Sequence, residues 1–336
     1  MKVLINSYNN VFQHDGGGIQ MRVKNFFAQY KAIPDVEVKL FNKWEDKLRD
    51  FQILHEFKVT VESYSILSAA KEEGLKTVIS SVVPQINATK IRTLVKLGNL
   101  IPSNLAQFTR DTLLMADAII AQTKKEATFI NHNYGIPIKK IHILPNGVND
   151  KILQSYNPDL NTRDIVLNVG RFDHNKNQLS LIRAALKTNY EVHFVGGKAL
   201  DDSDYYDQCL KEAQGARNIH FHGWLSNTSD EFLSLYQRAR VVTLLSHNEI
   251  FGNSLIEGAA CGANLVATNV LPIDEYGFND HCVRIDPDDE DDICSGLIKA
   301  YEKPLDNTLH EIAETRFSWR SIALRQLDIY KTLLSS

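Results

Sequence analysis

The segment Glu249-Ile250-Phe251-Gly252-Asn253-Ser254-Leu255-Ile256-Glu257-Gly258-Ala259-Ala260-Cys261-Gly262 holds two carboxylates eight positions apart, on either side of a Phe-Gly turn. Ionised carboxylates only accept hydrogen bonds, so such a pair suits a ligand rich in hydroxyl donors. Gly252 lets the backbone approach a ligand closely. Ser254 and Glu257 have the spacing of a capping box, which predicts a helix beginning near Ser254 with Glu257 in its first turn. A helix start offers free N–H groups and a positive dipole end, a setting for phosphate. The backbone of Phe251, Gly252, Asn253 and Ser254 would supply those groups. Standing alone, Glu257 could be only a capping residue and Glu249 only a solvated loop acid.

A second cluster is Asn168-Val169-Gly170-Arg171-Phe172-Asp173-His174-Asn175-Lys176-Asn177-Gln178, which follows a strand-like run at 165–169. Gly170 permits a tight turn at the strand end. Arg171 and Lys176 can then project together, one a planar fork of donors and the other a point charge, which suits a diphosphate. Either cation alone reads as an ordinary surface residue near a helix start. A third element, Gly16-Gly17-Gly18, lies between the first strand and a helix of pattern Ile19-x-x-x-Val23-x-x-Phe26-Phe27, where free N–H groups would make an anion-binding nest. It lacks the G-x-G-x-x-G spacing and following acid of a dinucleotide site.

Taken together, the 249–262 segment resembles the E-x7-E motif of the retaining nucleotide-sugar glycosyltransferases of the GT-B fold, glycosyltransferase family 4, also called group 1. The resemblance implies that Glu249 contacts the donor sugar and Glu257 the nucleotide ribose. It implies that Gly170, Arg171 and Lys176 hold the donor diphosphate and stabilise it as it leaves, with Gly16, Gly17 and Gly18 against the sugar diphosphate and acceptor. Residues 116–123, 141–148 and Phe317-Ser318-Trp319 are similar to further parts of the family pattern, in the right order. There are departures. Gly258 stands where the family usually has Ala, and Lys176-Asn177 where it commonly has Lys-Gly. Many relatives carry a His at the end of a first-domain strand, but the corresponding run here is Thr77-Val78-Ile79-Ser80-Ser81-Val82. Ser80 or Ser81 would substitute, or His14, Asp15 or His55 would contribute, although a lone His such as His55 is more often structural.

The elements that must position these residues are visible as short apolar runs alternating with amphipathic stretches. Strand candidates are 2–6, 37–41, 52–55, 77–80, 118–121 and 141–144, then 165–169, 191–195, 218–222, 241–245, 264–268 and 282–285. Nearly continuous β-branched runs predict parallel strands covered on both faces. The fold class is therefore α/β, two doubly wound Rossmann-like domains, and with the resemblance a GT-B architecture. The expected domains are 1–150 for the acceptor and 151–316 for the nucleotide-sugar donor, with 317–336 a helix crossing back to the first. Pro145-Asn146-Gly147-Val148-Asn149-Asp150 has the chemistry of the boundary turn. Ligands in such sheets bind beyond the carboxyl ends of the strands, which in a two-domain protein predicts a ligand in the cleft between domains.

The bulk numbers agree. A length of 336 residues suits two domains, and a net charge of −4 argues against nucleic-acid binding. The four cysteines form no CxxC pair, so no zinc or redox motif is signalled, and Cys261 and Cys282 read as small core residues in a reducing setting. The N-terminal run is too short for a signal peptide, and no run is long enough to span a membrane. A cytoplasmic location follows as an expectation, peripheral on the inner face of the membrane.

The reading is thus a hexosyltransferase, retaining and metal-independent, with no cofactor. It would use a UDP- or GDP-sugar and a glycan or lipid-linked acceptor, in cell-surface polysaccharide or lipopolysaccharide synthesis. Arg171, Lys176 and the helix end would neutralise the leaving group, so neither a metal nor a protein nucleophile is required. The alternatives are a nucleotide-sugar epimerase of the same architecture and a non-catalytic sugar-nucleotide-binding subunit. On the acceptor side, Lys90, Arg92 and Lys96 flank the apolar stripe Ile91, Leu94, Val95 and Leu97. Residues 88–101 could contact anionic lipid, or simply dock as an amphipathic helix with the basic face in water. Asp286-Pro287-Asp288 superficially matches a metal-binding D-x-D but reads as the acidic start of a helix from 289 on.

Overall fold

The computed structural model describes residues 1–13, 18–83, 85, 87–101, 103–159, 162–199 and 202–335, with the side chains of Asn99 and Ser203 left aside. The chain divides into two units, Met1–Gly147 with Trp319–Ser336, and Val148–Ser318. The sequence division fell at 150/151 and 316/317.

All twelve predicted strands are present. The first unit contains β1 (Lys2–Ser7), β2 (Glu37–Leu40), β3 (Ile53–Phe57), β4 (Lys76–Ser80), β5 (Ala118–Ala121) and β6 (Ile141–Ile143). They form one sheet in the order β2-β1-β3-β4-β5-β6, and every pairing is parallel. Alternation along each strand sorts its residues onto two cores. Leu4, Leu54, Ile79 and Ile119 enter one; Val3, Ile5, Ile53, Val78 and Ile120 enter the other. The helix Trp319–Ser335 belongs to this second core, with Trp319 packed edge-on against Phe26 at 5.4 Å. The Asn-Gly turn is shaped to admit it: a Cβ on Gly147 would lie 2.4 Å from the Trp319 ring.

The second unit contains β7 (Ile165–Val169), β8 (Glu191–Val195), β9 (Ile219–Phe221), β10 (Ala239–Leu244), β11 (Asn264–Thr268) and β12 (Cys282–Ile285). Their order is β12-β11-β10-β7-β8-β9, again all parallel. The chain runs outward from β7 to one edge, returns, and runs outward from β10 to the other. The reversal lies between β7 and β10, where open α/β sheets bind ligands at their carboxyl ends. Ile165, Leu167, Val242, Leu244 and Leu265 pack on one face, and Val166, Val192, Phe194, Val241 and Val266 on the other. Cys261 and Cys282 are buried and unpaired.

Candidate functional site

The two segments singled out by their chemistry leave the sheet at this reversal. Residues 170–176 follow β7, and residues 246–252 follow β10. Asn175 joins them: its carbonyl accepts from the His247 N–H at 2.8 Å, its side-chain oxygen from the Asn248 N–H at 2.9 Å, and its amide donates to the Asn248 carbonyl at 3.0 Å. Beside this seam the Lys176 ammonium forms an ion pair with the Glu249 carboxylate, both side chains about one-fifth exposed. A predicted phosphate-binding cation and a predicted sugar-binding acid therefore touch.

Asp173 organises the cations. One of its oxygens caps the short turn His174–Lys176 by accepting from the Lys176 N–H at 2.9 Å; the carboxylate also pairs with the Arg171 guanidinium at 3.1 Å. Arg171 keeps 57% of its side chain in solvent. Asn177 follows in the left-handed region at φ +57. Asn is among the few residues that visit this region readily, so it takes the place of the expected Gly. Its side chain is engaged as well, accepting from Ser180 and donating to the Pro287 carbonyl.

The glycine that the tight approach at the end of β7 requires is Gly196, since a Cβ on Gly170 would meet only Lys176, at 3.9 Å. Gly196, after β8, lies at φ +135, and a Cβ there would stand 1.9 Å from the Gly170 carbonyl oxygen. Sequence reasoning passed over Gly196, although Val195-Gly196-Gly197 directly after a strand was the available signal.

The helix after β10 spans Asn253–Ala260 and is capped by Gly252, which makes no side-chain cap. The capping-box reading of Ser254 and Glu257 is therefore corrected: Ser254 is already helical and Glu257 lies beyond the first turn. Gly252 is required for its own fold, with φ +73 and with Leu244 and Leu271 walling the space a Cβ would fill. Phe251 sends its ring into the core against Tyr276, whose hydroxyl donates to the Phe251 carbonyl. This leaves Asn253 and the buried Ser254 at the helix start.

Glu257 accepts a hydrogen bond from the Tyr236 hydroxyl at 2.7 Å. Burial pushes its carboxyl up to about 7, against the stabilising Tyr236 bond. The two carboxylates thus have different partners, a cation for Glu249 and a neutral phenol for Glu257. Gly258 packs against β10 so closely that a Cβ would lie 2.6 Å from Val242. That contact accounts for Gly where Ala was expected.

The model of the glycosyl transferases group 1 matches residues 150–318. The chain belongs to that family. The chain is 26% identical over 230 residues to N-acetylgalactosamine-N,N'-diacetylbacillosaminyl-diphospho-undecaprenol 4-alpha-N-acetylgalactosaminyltransferase of Campylobacter jejuni, covering 65% of this chain and 59% of that protein. It is 25% identical over 195 residues to O-antigen chain mannosyltransferase B of Escherichia coli, covering 54% and 49%. The chain therefore spans only about half to three-fifths of these curated relatives. Among solved structures, HepE from Anabaena in complex with UDP and glucose superimposes with a TM-score of 0.72 at 16% identity, over 99% of this chain and 100% of that one. At that identity the likeness concerns the fold, which is that of the GT-B glycosyltransferases.

In the first unit of this member of the group 1 family, the described residues considered in place of a strand-end His are committed elsewhere. His55 is fully buried, bonded to the Tyr330 hydroxyl at 2.6 Å and Ser80 Oγ at 2.9 Å. Burial and the nearby Arg22 hold its imidazole well below the ordinary histidine range. Ser81 donates to the buried Glu126 carboxylate at 2.8 Å. Ser80, Ser81 and His55 therefore form part of the core. His14, Asp15, Gly16 and Gly17 lie outside the described residues; Gly18 begins the helix Gly18–Lys31.

The helix Ala88–Leu97 turns Ile91, Leu94 and Val95 partly onto the first-unit core and leaves Lys90, Arg92 and Lys96 exposed. Leu97 and Leu105 are exposed too, and Leu100 is 83% exposed. Among the described residues no helix is long and apolar enough to cross a membrane. Asp286-Pro287-Asp288 precedes the helix Glu290–Glu302, capped by Asp289, as its acidic pattern predicts.

Proposed function

We propose that this chain transfers a hexosyl-type sugar from a UDP- or GDP-sugar to a glycan or lipid-linked acceptor with retention of configuration and without a metal. The observation that carries the reading is the meeting of Lys176 and Glu249 at the strand reversal of the second unit, with Arg171 on the same loop as Lys176. Two fixed cations offset the charge that grows on a departing diphosphate. In this account Lys176 exchanges Glu249 for phosphate oxygens when donor enters, and Glu249 is released to accept from sugar hydroxyls. Glu257, held by Tyr236, accepts from the ribose. The N–H groups at the start of Asn253–Ala260 add to the diphosphate site.

The reaction breaks the bond from the anomeric carbon to the leaving phosphate oxygen and forms one to the acceptor oxygen on the same face. The acceptor proton passes to the leaving phosphate oxygen, so no protein nucleophile is assigned. The acceptor belongs to the first unit. The UDP in the HepE complex and the diphospho-undecaprenol in the name of the Campylobacter relative support the donor and acceptor classes; the E. coli relative, an O-antigen chain enzyme, supports a place in cell-surface glycan synthesis. Peripheral contact with the inner face of the membrane through residues 88–101 is supported by exposed leucines beside three cations.

The test is transfer from a panel of UDP- and GDP-sugars to lipid-diphosphate and oligosaccharide acceptors, with and without chelator. Chelator-insensitive transfer, abolished by Glu249→Ala, supports the reading. Nucleotide release without an acquired sugar on any acceptor, or transfer that survives Glu249→Ala, contradicts it.

A further inference from the structure

The open edge of the second sheet gathers histidines that the transfer reaction does not use. Parallel β8 and β9 set His193 opposite His220. Residues two apart on a strand share a face, so Glu191 and His193 on β8 lie beside His220 and His222 on and just after β9. The His193 ring lies 4.5 Å from that of His220 and 5.1 Å from that of His222. Glu191, His193 and His220 each present a donor atom, all within 4.8 Å of one another.

The hydrogen bonds around this trio prepare one ring nitrogen. The Glu231 carboxylate can only accept, so at 3.2 Å it fixes the proton of neutral His222 on Nδ1. His222 Nε2 is then an acceptor, and His193 Nδ1, 2.9 Å away, must donate to it. That leaves the His193 Nε2 lone pair unprotonated. A metal-bound histidine needs this arrangement, with its second nitrogen held by an outer partner. His193 is itself buried, whereas His220 and Glu191, which meet at 2.5 Å, are each about half exposed, so an ion can enter from solvent. Arg238 is the cation facing His193, and its guanidinium is held by Asp164 at 3.0 Å.

We infer that Glu191, His193 and His220 bind one divalent transition-metal ion, with His222 and Glu231 as the outer partners that orient His193. Two imidazoles, one carboxylate and a water make a four-coordinate set suited to Zn²⁺. The ion would tie the edge strand β9, three residues long, to β8. The site is separate from Lys176 and Glu249 and stands or falls independently of the transfer reading.

The test uses the whole chain freed of metal by chelator, titrated with Co²⁺ and followed by visible absorption, with Zn²⁺ competition and thermal melting beside it. One equivalent of Co²⁺ should give the intense bands of a four-coordinate ion, Zn²⁺ should bleach them, and Zn²⁺ should raise the melting temperature. Glu191→Gln and His220→Gln, at half-exposed positions that do not endanger folding, should each weaken binding by at least tenfold. His222→Asn should weaken it by about 10–100-fold, the effect usual for an outer partner. Absence of Co²⁺ bands overturns the inference. So does binding of unchanged affinity in His220→Gln, since the chain has eleven histidines and such uptake would be nonspecific.

Discussion

The Lys176 ammonium and the Glu249 carboxylate form an ion pair across 73 positions of sequence, joining the loop after β7 to the loop after β10. Each is mostly withdrawn from water, so removing one partner leaves the other a poorly solvated charge. Lys176→Met and Glu249→Gln should each destabilise the second unit, and the double variant should lose less than the sum. A coupling of about 0.5–3 kcal/mol is expected from urea unfolding of the four proteins. Strict additivity would mean the pair is not formed in solution.

On the proposed reading, Glu257 would make nucleotide binding proton-linked. Its carboxyl titrates near 7 in the folded chain against an ordinary 4.5. The folded state therefore binds the extra proton between these values, and the associated stability is full below 4.5 and lost as pH rises through 7. Ribose hydroxyls donate to the ionised form, so a nucleotide bound near pH 7 should expel part of a proton. Calorimetry in two buffers of different ionisation enthalpy measures that release, and Glu257→Gln should remove it. An unchanged release in the variant would place the titrating group elsewhere.

Gly258 is set by packing rather than by catalysis. Gly258→Ala drives a methyl into Val242, and overpacking of this kind costs about 1–3 kcal/mol, more than the helix propensity that Ala gains. Val242→Ala should restore most of the loss. A Gly258→Ala chain as stable as the parent would show that the helix Asn253–Ala260 can lift away from β10.

His55 makes the first unit acid-sensitive. Its folded pKa lies well below 6.5, so the unfolded chain binds the proton first. Stability is full above 6.5 and falls as pH drops below it, by at most about 1.4 kcal/mol per pH unit. Urea midpoints measured from neutral pH down to about pH 5 should show this slope. His55→Phe should flatten it while lowering stability at neutral pH, because Tyr330 and Ser80 lose their partner. A slope unchanged in His55→Phe would assign the acid sensitivity to another group.

The inner strands were legible because each is a short apolar run covered on both faces, whereas the edge strand β2, exposed at Glu37, Lys39 and Leu40, carries that mark only weakly. The pairing of Lys176 with Glu249 was less so: both loops could be recognised, but their contact depends on the strand order, which brings β10 beside β7. The capping-box reading failed because Ser-x-x-Glu spacing is local, whereas Tyr236, from another helix, takes the Glu257 carboxylate. Asp173 and Gly196 were missed because a single Asp in a turn, or a Gly pair after a strand, has many ordinary uses. His193 and His220 stand far apart in sequence and meet only through the register of β8 on β9.

The most direct test is a thermal-shift series with UDP, GDP, ADP and dTDP, in chelator, on the parent chain, Lys176→Ala and Glu249→Gln. One nucleoside diphosphate at 100 times its dissociation constant should add about 2.7 kcal/mol of stability to the parent, an effect lost in Lys176→Ala and retained in Glu249→Gln. No shift with any nucleotide, or an equal shift in Lys176→Ala, would contradict a donor diphosphate site at the reversal between β7 and β10.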